Sequence, residues 1–178
     1  MCYKEKNHEK TVKTEYVYKG KILNLRNDEV VFPNGTKSYR EIVEHNGGSC
    51  VLCVEDGKIL LVRQFRYALN KEIWEIPAGK LEKGEEPSST AIRELEEECG
   101  YRAGEVKLLF TVYLTPGYDT ETIYIYRAYN LKKTQTNFDE GEDIESRWFT
   151  FSEVQKMIEG GEINDGKTLI ALLSVLKG

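Results

Sequence analysis

The sequence has no excess of positive charge, few histidines and no long apolar run. Its 25 lysines and arginines against 30 aspartates and glutamates give a formal net charge of −5, which argues against a general nucleic-acid binder. The N-terminus, MCYKEKNHEK, is polar and does not resemble a secretory signal, and no stretch is apolar for long enough to cross a membrane. We therefore expect a cytoplasmic protein that binds neither nucleic acid nor membrane.

Cysteine-based metal or redox chemistry also has little support. Cys50 and Cys53 form a C-x-x-C, and the only histidines are His8 and His45. The stretch SCVLCVEDGKILLV alternates like a β-strand, and residues three apart on a strand point to opposite faces. We therefore expect no zinc site, and we interpret the cysteines as reduced thiols.

The order of strand and helix signals predicts an α/β (α+β) protein. Residues 1–45 predict a small antiparallel sheet with few apolar residues, which suits packing on a partner chain. Residues 46–178 predict a domain in which strands mix with one central helix and two C-terminal helices. A mixed β-sheet covered by helices on both faces would bury these elements.

Four glutamates are crowded into RELEEECG, Arg93–Gly100, although like charges at helical spacing repel one another. On a helix over 86–99, the apolar residues fall on one arc, and Glu94, Glu97 and Glu98 gather on another. Glu96 lies apart from them. The arrangement fits either a solvated acidic face or a site for a hard divalent cation. The glutamates lie near the helix C-terminus, where the helix dipole disfavours them, which favours the cation.

The spacing around this helix matches a known pattern, G-x5-E-x7-R-E-U-x-E-E-x-G-U, where U is a bulky aliphatic residue. The matching positions are Gly79, Glu85, Arg93, Glu94, Leu95, Glu97, Glu98 and Gly100. Tyr101, at the last aliphatic position, is the one departure. The sequence thus resembles the Nudix hydrolases, and eight fixed positions make the resemblance specific.

The resemblance implies a Nudix-type α/β/α sandwich and hydrolysis of a nucleoside diphosphate linked to another group. It implies Mg²⁺ or Mn²⁺ as cofactor, with Glu94 and Glu98 as principal ligands, Glu97 assisting, and the Ala78 carbonyl completing the site. Arg93 would orient the glutamates. Glu85 would pair with Arg93 or support the site rather than act as the base.

Further motifs resemble the bacterial ADP-ribose pyrophosphatases within this family. Pro116 and Gly117 lie in LTPGYDTE, although a type II turn explains that pair equally well. The resemblance implies that Arg66, in VRQFRY, contacts a substrate phosphate, for which a guanidinium is well suited. Arg40, in SYREIV, is a weaker candidate for substrate contact.

The acidic loop FDEGEDIESRWF resembles the segment that carries a mobile catalytic glutamate in this group. Glu142 is the best-aligned position for it, with Glu140 as the neighbouring candidate. The resemblance also implies a homodimer, whose N-terminal sheet contributes to the adenine site. Tyr16, Tyr18 and Tyr39 remain open as the aromatic that stacks on adenine.

The expected function is metal-dependent hydrolysis of ADP-ribose to AMP and ribose 5-phosphate. One alternative is hydrolysis of another nucleoside diphosphate sugar, such as GDP-mannose. Another is a non-catalytic Nudix module that senses ADP-ribose or regulates transcription. Such a module is expected to have a degraded box and an attached DNA-binding domain, whereas the box glutamates of this sequence are intact.

Overall fold

The computed structural model describes residues 8–138, 141 and 143–176, and the chain divides into two compact units. One unit comprises the chain up to Asn46 together with Thr115–Glu121. The other comprises Gly47–Leu114 and the chain from Thr122 onward.

The first unit is built on a three-stranded antiparallel sheet in the order β1-β2-β3. Its strands are β1 (Lys10–Lys19), β2 (Leu23–Val31) and β3 (Lys37–His45). Gly35, at φ +84°, closes the turn between β2 and β3, and its N–H donates to the Phe32 carbonyl at 2.8 Å. Every residue of β1 is exposed, so this edge strand contributes nothing to a core.

The second unit contains a seven-stranded sheet. Five of its strands follow the order β10-β5-β4-β9-β8, while β6 pairs with β5 and β7 pairs with β4. The strands are β4 (Gly48–Glu55), β5 (Lys58–Arg66), β6 (Lys71–Glu75), β7 (Ala78–Lys80), β8 (Tyr101–Val112), β9 (Ile123–Lys133) and β10 (Ile144–Thr150). The β4–β9 pair is parallel and the other pairs are antiparallel, which confirms the mixed sheet.

Helices cover both faces of this sheet. They are α1 (Pro87–Cys99), α2 (Phe151–Glu159) and α3 (Gly166–Leu176), and a short 3₁₀ helix spans Tyr67–Leu69. Along β4, Val51 and Cys53 belong to the core cluster that includes Leu95 of α1. Cys50 belongs to the opposite cluster, which includes Leu172 of α3.

The alternation along β4 has two consequences. It confirms the expected α/β/α layering, because each face of one central strand meets a different set of helices. It also separates the two thiols of the C-x-x-C. Burial raises the pKa of Cys50 to about 12 and raises that of Cys53 further, so both behave as inert core residues.

The segment EIWEIPAG has the sequence pattern of one short strand that ends in a Pro-Ala-Gly turn, but it forms two strands. β6 pairs with β5, whereas β7 pairs with β4, and Pro77 lies between them. Proline has no N–H to donate to a sheet, so the ladder is interrupted there. The Pro77 carbonyl still accepts from the Val51 N–H at 2.9 Å, which holds the crossing segment on β4.

Tyr101, the departure from the aliphatic pattern, begins β8 and packs in the core beside α1. Its ring meets Trp148 edge to face, with centroids 5.8 Å apart, and its hydroxyl accepts from the Trp148 indole N–H at 3.3 Å. An aromatic side chain therefore fills this position with its polar group bonded.

Candidate metal centre

The central helix α1 is fixed at both ends. Pro87 occupies its first turn, where a missing N–H costs nothing. Gly100 follows its last residue at φ +66°, and the Gly100 N–H donates to the Glu96 carbonyl at 2.9 Å. Ala91 and Leu95 are fully buried against the sheet, which fixes the rotation of the helix and hence the direction of its acidic side.

Two carboxylates of α1 lie against the backbone at the start of β7. Glu98 is only 5% exposed, and its Oε2 accepts from the Ala78 N–H at 3.1 Å. The Glu94 carboxylate fills the space where a side chain at Gly79 would begin, since a Cβ there would lie 1.8 Å from Glu94 Oε1. Glycine at 79 is therefore required for Glu94 to take this position.

Arg93 holds three glutamates of the box together. Its guanidinium donates to Glu85 at 3.1 and 3.2 Å, to Glu94 at 2.7 Å and to Glu97 at 2.8 Å. The hydrogen bonds from Arg93 hold the pKa of Glu85 below its usual range. The same hydrogen bonds to Glu85 raise the pKa of Arg93. These contacts support the expected orienting role of Arg93 and the pairing of Glu85 with it.

We define the acid cluster as Glu85, Glu94, Glu97 and Glu98. Four carboxylates beside one guanidinium leave a formal charge of −3, which attracts cations. Glu96 stands outside the cluster, because it receives a 2.7 Å hydrogen bond from Arg102. The separation of Glu96 from its neighbours follows the helical spacing expected from the sequence.

The donors of this site fit a hard divalent cation, although the described residues do not form a complete coordination shell. Within 8–138, 141 and 143–176, no three acidic, histidine or cysteine side chains are already arranged around one ion position. The acid cluster and the Ala78 carbonyl supply oxygen donors, which are the ligands that Mg²⁺ prefers. Gly79 keeps Glu94 close to this backbone, and the donor set has the chemistry of a site for a hard divalent cation.

Arg66, at the end of β5, forms a two-pronged ion pair with Glu75 of β6. Arg66 Nε lies 2.6 Å from Glu75 Oε1, and Arg66 Nη2 lies 2.9 Å from Glu75 Oε2. Glu75 raises the pKa of Arg66 despite partial burial, and the charge of Glu98 raises it further, so Arg66 is within electrostatic reach of the acid cluster.

Sequence reasoning missed Glu75, although a signal was present. In KEIWE, Ile73 and Glu75 alternate with Trp74, and both are buried. A carboxylate at an inward position of an alternating strand requires a buried partner. That pattern alone identifies Glu75 as a residue with a specific contact.

The other substrate candidates lie in the first unit. The Arg40 guanidinium donates to Glu9 at 2.6 and 2.7 Å, so it forms an ion pair with a carboxylate of the same unit. Pro116 and Gly117 form part of a tight turn in which the Thr115 carbonyl accepts the N–H groups of Tyr118 and Asp119. Gly117 lacks the positive φ of a type II turn, so that alternative interpretation of the pair is wrong.

Glu140 and Glu142 lie outside the described residues. The site formed by the described residues therefore contains Ala78, Glu94, Glu97 and Glu98 with Arg93 and Glu85. Arg66 belongs to the same unit.

No helix in the described part of the chain is long and apolar enough to cross a membrane.

Comparison with known proteins assigns this arrangement to a family. The Nudix domain matches residues 44–172, and the nucleoside diphosphate sugar hydrolase N-terminal domain matches residues 9–43. The chain belongs to the Nudix family.

Individual relatives match nearly the whole chain. An ADP-ribose pyrophosphatase from Bacillus subtilis is 44% identical, and a methanol dehydrogenase activator from Bacillus methanolicus is 43% identical; each alignment covers 92% of this chain and 90% of the relative. A GDP-mannose pyrophosphatase from Escherichia coli is 36% identical over 84% of this chain and 81% of its own length.

A solved structure confirms the fold. The crystal structure of an ADP compounds hydrolase superposes with a TM-score of 0.84, covering 95% of this chain and 92% of that one, at 20% sequence identity.

Proposed function

We propose that the protein hydrolyses the diphosphate of ADP-ribose to AMP and ribose 5-phosphate, using Mg²⁺ or Mn²⁺. The observation that carries this proposal is the pair of α1 carboxylates, Glu98 and Glu94, held against Ala78 and Gly79. The substrate class is supported by the match of residues 9–43 to the nucleoside diphosphate sugar hydrolase N-terminal domain and by the 44% identity to an ADP-ribose pyrophosphatase.

The residues of the site have different proposed chemical roles. Glu94, Glu97, Glu98 and the Ala78 carbonyl would hold the ion, which supplies charge neutralisation on the diphosphate and lowers the pKa of bound water. Arg93 keeps the carboxylates of the cluster in place through its hydrogen bonds. In the reaction, water adds to phosphorus and the bridging P–O bond breaks.

Arg66 is proposed to bind a substrate phosphate. Its Nε and Nη2 are bonded to Glu75, which orients the planar group, and its side chain is 39% exposed. An oriented guanidinium with exposed surface suits recognition of an oxyanion. Arg40, Pro116 and Gly117 are proposed to contribute substrate contacts from the first unit.

The water proton is proposed to pass to Glu142. We expect Glu142→Gln to lower kcat strongly with little change in KM, because a base acts in the transition state. Steady-state kinetics on ADP-ribose measures both constants. If the loss occurs in Glu140→Gln instead, the role moves to that residue, and normal turnover in both variants would exclude the loop as the source of the base.

The assembly is proposed to be a cytoplasmic homodimer formed through the N-terminal sheet. The first unit exposes large apolar side chains that a partner could cover. They include Val12, Tyr16, Val17, Tyr18, Ile22, Leu23 and Tyr39.

A second candidate substrate is GDP-mannose. The 36% identity to a GDP-mannose pyrophosphatase favours it. The acid cluster would also serve either substrate, because it would act on the diphosphate and would not contact the base or the sugar. A sensor without catalysis is disfavoured, because the carboxylates and Arg93 retain the contacts that a metal site needs.

The metal role is tested by Glu98→Gln with Glu96→Gln as its matched control. Glutamine at 98 can still accept from the Ala78 N–H, so the variant should fold, and without metal it should be no less stable than the parent. We expect kcat with saturating Mg²⁺ to fall at least about a hundredfold, because metal polarisation contributes several kcal/mol to such reactions. Glu96→Gln should remain close to the parent.

Hydrolysis of ADP-ribose in both variants, with unfolding followed by circular dichroism, checks this prediction. Near-normal turnover of Glu98→Gln would show that Glu98 does not hold a catalytic ion.

A further inference from the structure

A second group of charged side chains lies in the same unit as the acid cluster but outside the Nudix box. We define the Glu75 network as Arg66, Glu75, Asp165 and Lys167. Lys167 Nζ contacts Glu75 Oε2, and it donates to Asp165 Oδ2 at 2.9 Å. Two cations and two carboxylates make the network formally neutral.

Glu75 is the centre of the network. It is 2% exposed, and its two oxygens are shared unequally between two cations. Oε1 receives Arg66 Nε, whereas Oε2 receives both Arg66 Nη2 and Lys167 Nζ. Lys167 and Arg66 therefore share the charge of the Glu75 carboxylate.

The position of Lys167 is costly for a purely structural lysine. It is 9% exposed, and it lies in the first turn of α3, where the helix dipole disfavours a cation. Burial would lower the pKa of Lys167, but Glu75 and Asp165 outweigh that effect and raise it, so the side chain stays charged. Buried ion pairs often contribute little net stability relative to apolar packing, so stability alone does not account for the arrangement.

The first turn of α3 is itself anchored to the strand that carries Glu75. Asp165 Oδ2 accepts from the Thr168 N–H at 3.0 Å and from the Thr168 hydroxyl at 2.6 Å. Thr168 Oγ1 in turn accepts from the Ile76 N–H at 3.0 Å. Besides its direct contact with Glu75, the ammonium of Lys167 is thus tied through Asp165 and Thr168 to Ile76, the residue that follows Glu75.

We propose that Lys167 is a positioning residue, which acts through Glu75 to hold the Arg66 guanidinium in the orientation that binds a substrate phosphate. By sharing Glu75, Lys167 also limits the carboxylate charge that competes with the phosphate for Arg66. Without Lys167, two carboxylates face one guanidinium, and the local charge changes from neutral to −1. This assignment rests on the proposed function, because that function gives Arg66 its phosphate.

The test uses ADP as the probe, because ADP carries a diphosphate and its binding needs no turnover. For Lys167→Met we expect about a tenfold rise in the ADP dissociation constant, measured by calorimetry with Mg²⁺, since charge-assisted hydrogen bonds contribute on that scale. For ADP-ribose hydrolysis, KM should rise by a similar factor while kcat changes less. Lys156→Met, which removes an exposed lysine from α2, is the matched control and should leave both constants unchanged.

A double-mutant cycle separates positioning from general damage. If Lys167 acts through Arg66, then adding Lys167→Met to Arg66→Ala should change ADP binding by less than about twofold, because coupled residues are not additive. An equal loss in both backgrounds would overturn the proposal, as would an unchanged dissociation constant in the folded single variant.

Three further outcomes are also decisive. Should Lys167→Met fail to fold, the same cycle is run with Lys167→Gln, for which an equal loss of ADP binding in the parent and Arg66→Ala backgrounds would again overturn the assignment. A parent protein that binds ADP but leaves ADP-ribose intact would refute the proposed function and leave the positioning role standing. A parent that does not bind ADP would remove the phosphate role of Arg66 and, with it, the role of Lys167.

Discussion

At the scale of single residues, the chain places several carboxylates where burial must be offset by a specific partner. Asp165 is an example, since it caps the first turn of α3 and pairs with Lys167. Burial opposes its ionisation, but Lys167 and the hydrogen bonds from Thr168 outweigh burial and hold the pKa of Asp165 below its usual range. A folded-state pKa below the unfolded value makes the unfolded chain the better proton binder.

It follows that Asp165 stabilises the protein above its unfolded-state pKa, about 3.9, and that this contribution is lost as pH falls through the lower folded-state value. Asp165→Asn keeps a capping oxygen but removes the charge. We expect it to lower the free energy of unfolding at pH 7 by roughly 1–3 kcal/mol, the range for a charge-assisted hydrogen bond. The difference from the parent should shrink below about pH 4.

Urea unfolding at pH 7, 5 and 3.5 measures this difference. Asp56→Asn, the same change in the exposed turn between β4 and β5, is the control and should show no comparable effect. A constant gap between parent and Asp165→Asn across this range would contradict the assigned ionisation.

Residues of the acid cluster were predictable because their relation is local. Glu94, Glu97 and Glu98 lie within five positions of one helix, and helical geometry alone puts them together. The role of Glu75 depends on Lys167, which lies 92 positions away along the chain. A contact across that separation depends on the packing of α3 on the sheet, which no local pattern describes.

At the scale of elements, periodicity predicted most of the strands and all three helices. The hairpin of β4 and β5 follows from Asp56 and Gly57, both at positive φ, as a primed turn requires. The division of EIWEIPAG was missed, because a strand pattern does not show which neighbour each half will pair with. That division has a consequence for the site, since β7 brings Ala78 and Gly79 against α1.

The edge strand β1 gives a prediction about assembly. All ten of its residues are exposed, and Val17 is 64% exposed. An exposed edge with apolar side chains is a surface for pairing with another chain. We expect Val17→Asp to shift sedimentation of the full-length protein from dimer towards monomer, because a buried unpaired carboxylate opposes association.

Thr11→Asp adds the same charge to the same strand at a position without an apolar side chain, and it should affect the assembly less. A parent protein that sediments as a monomer at all concentrations would exclude the proposed dimer.

At the scale of the whole molecule, the residues proposed to act on the diphosphate and the further residues proposed to contact substrate lie in different units of the chain. The acid cluster and Arg66 lie in the unit that begins at Gly47, whereas Arg40, Pro116 and Gly117 lie in the other unit. A diphosphate site accounts for hydrolysis in general. Preference for adenosine and ribose requires contacts outside the diphosphate site. For that reason the sequence predicts the class of reaction more firmly than the substrate.

The central claim is therefore tested most directly by comparing kcat/KM for ADP-ribose and GDP-mannose with Mg²⁺, with the products identified by chromatography. We expect ADP-ribose to be preferred by at least about tenfold, a difference of about 1.4 kcal/mol in transition-state binding, with AMP and ribose 5-phosphate as products and no reaction in excess chelator. A preference for GDP-mannose, or turnover that persists without divalent ions, would contradict the account.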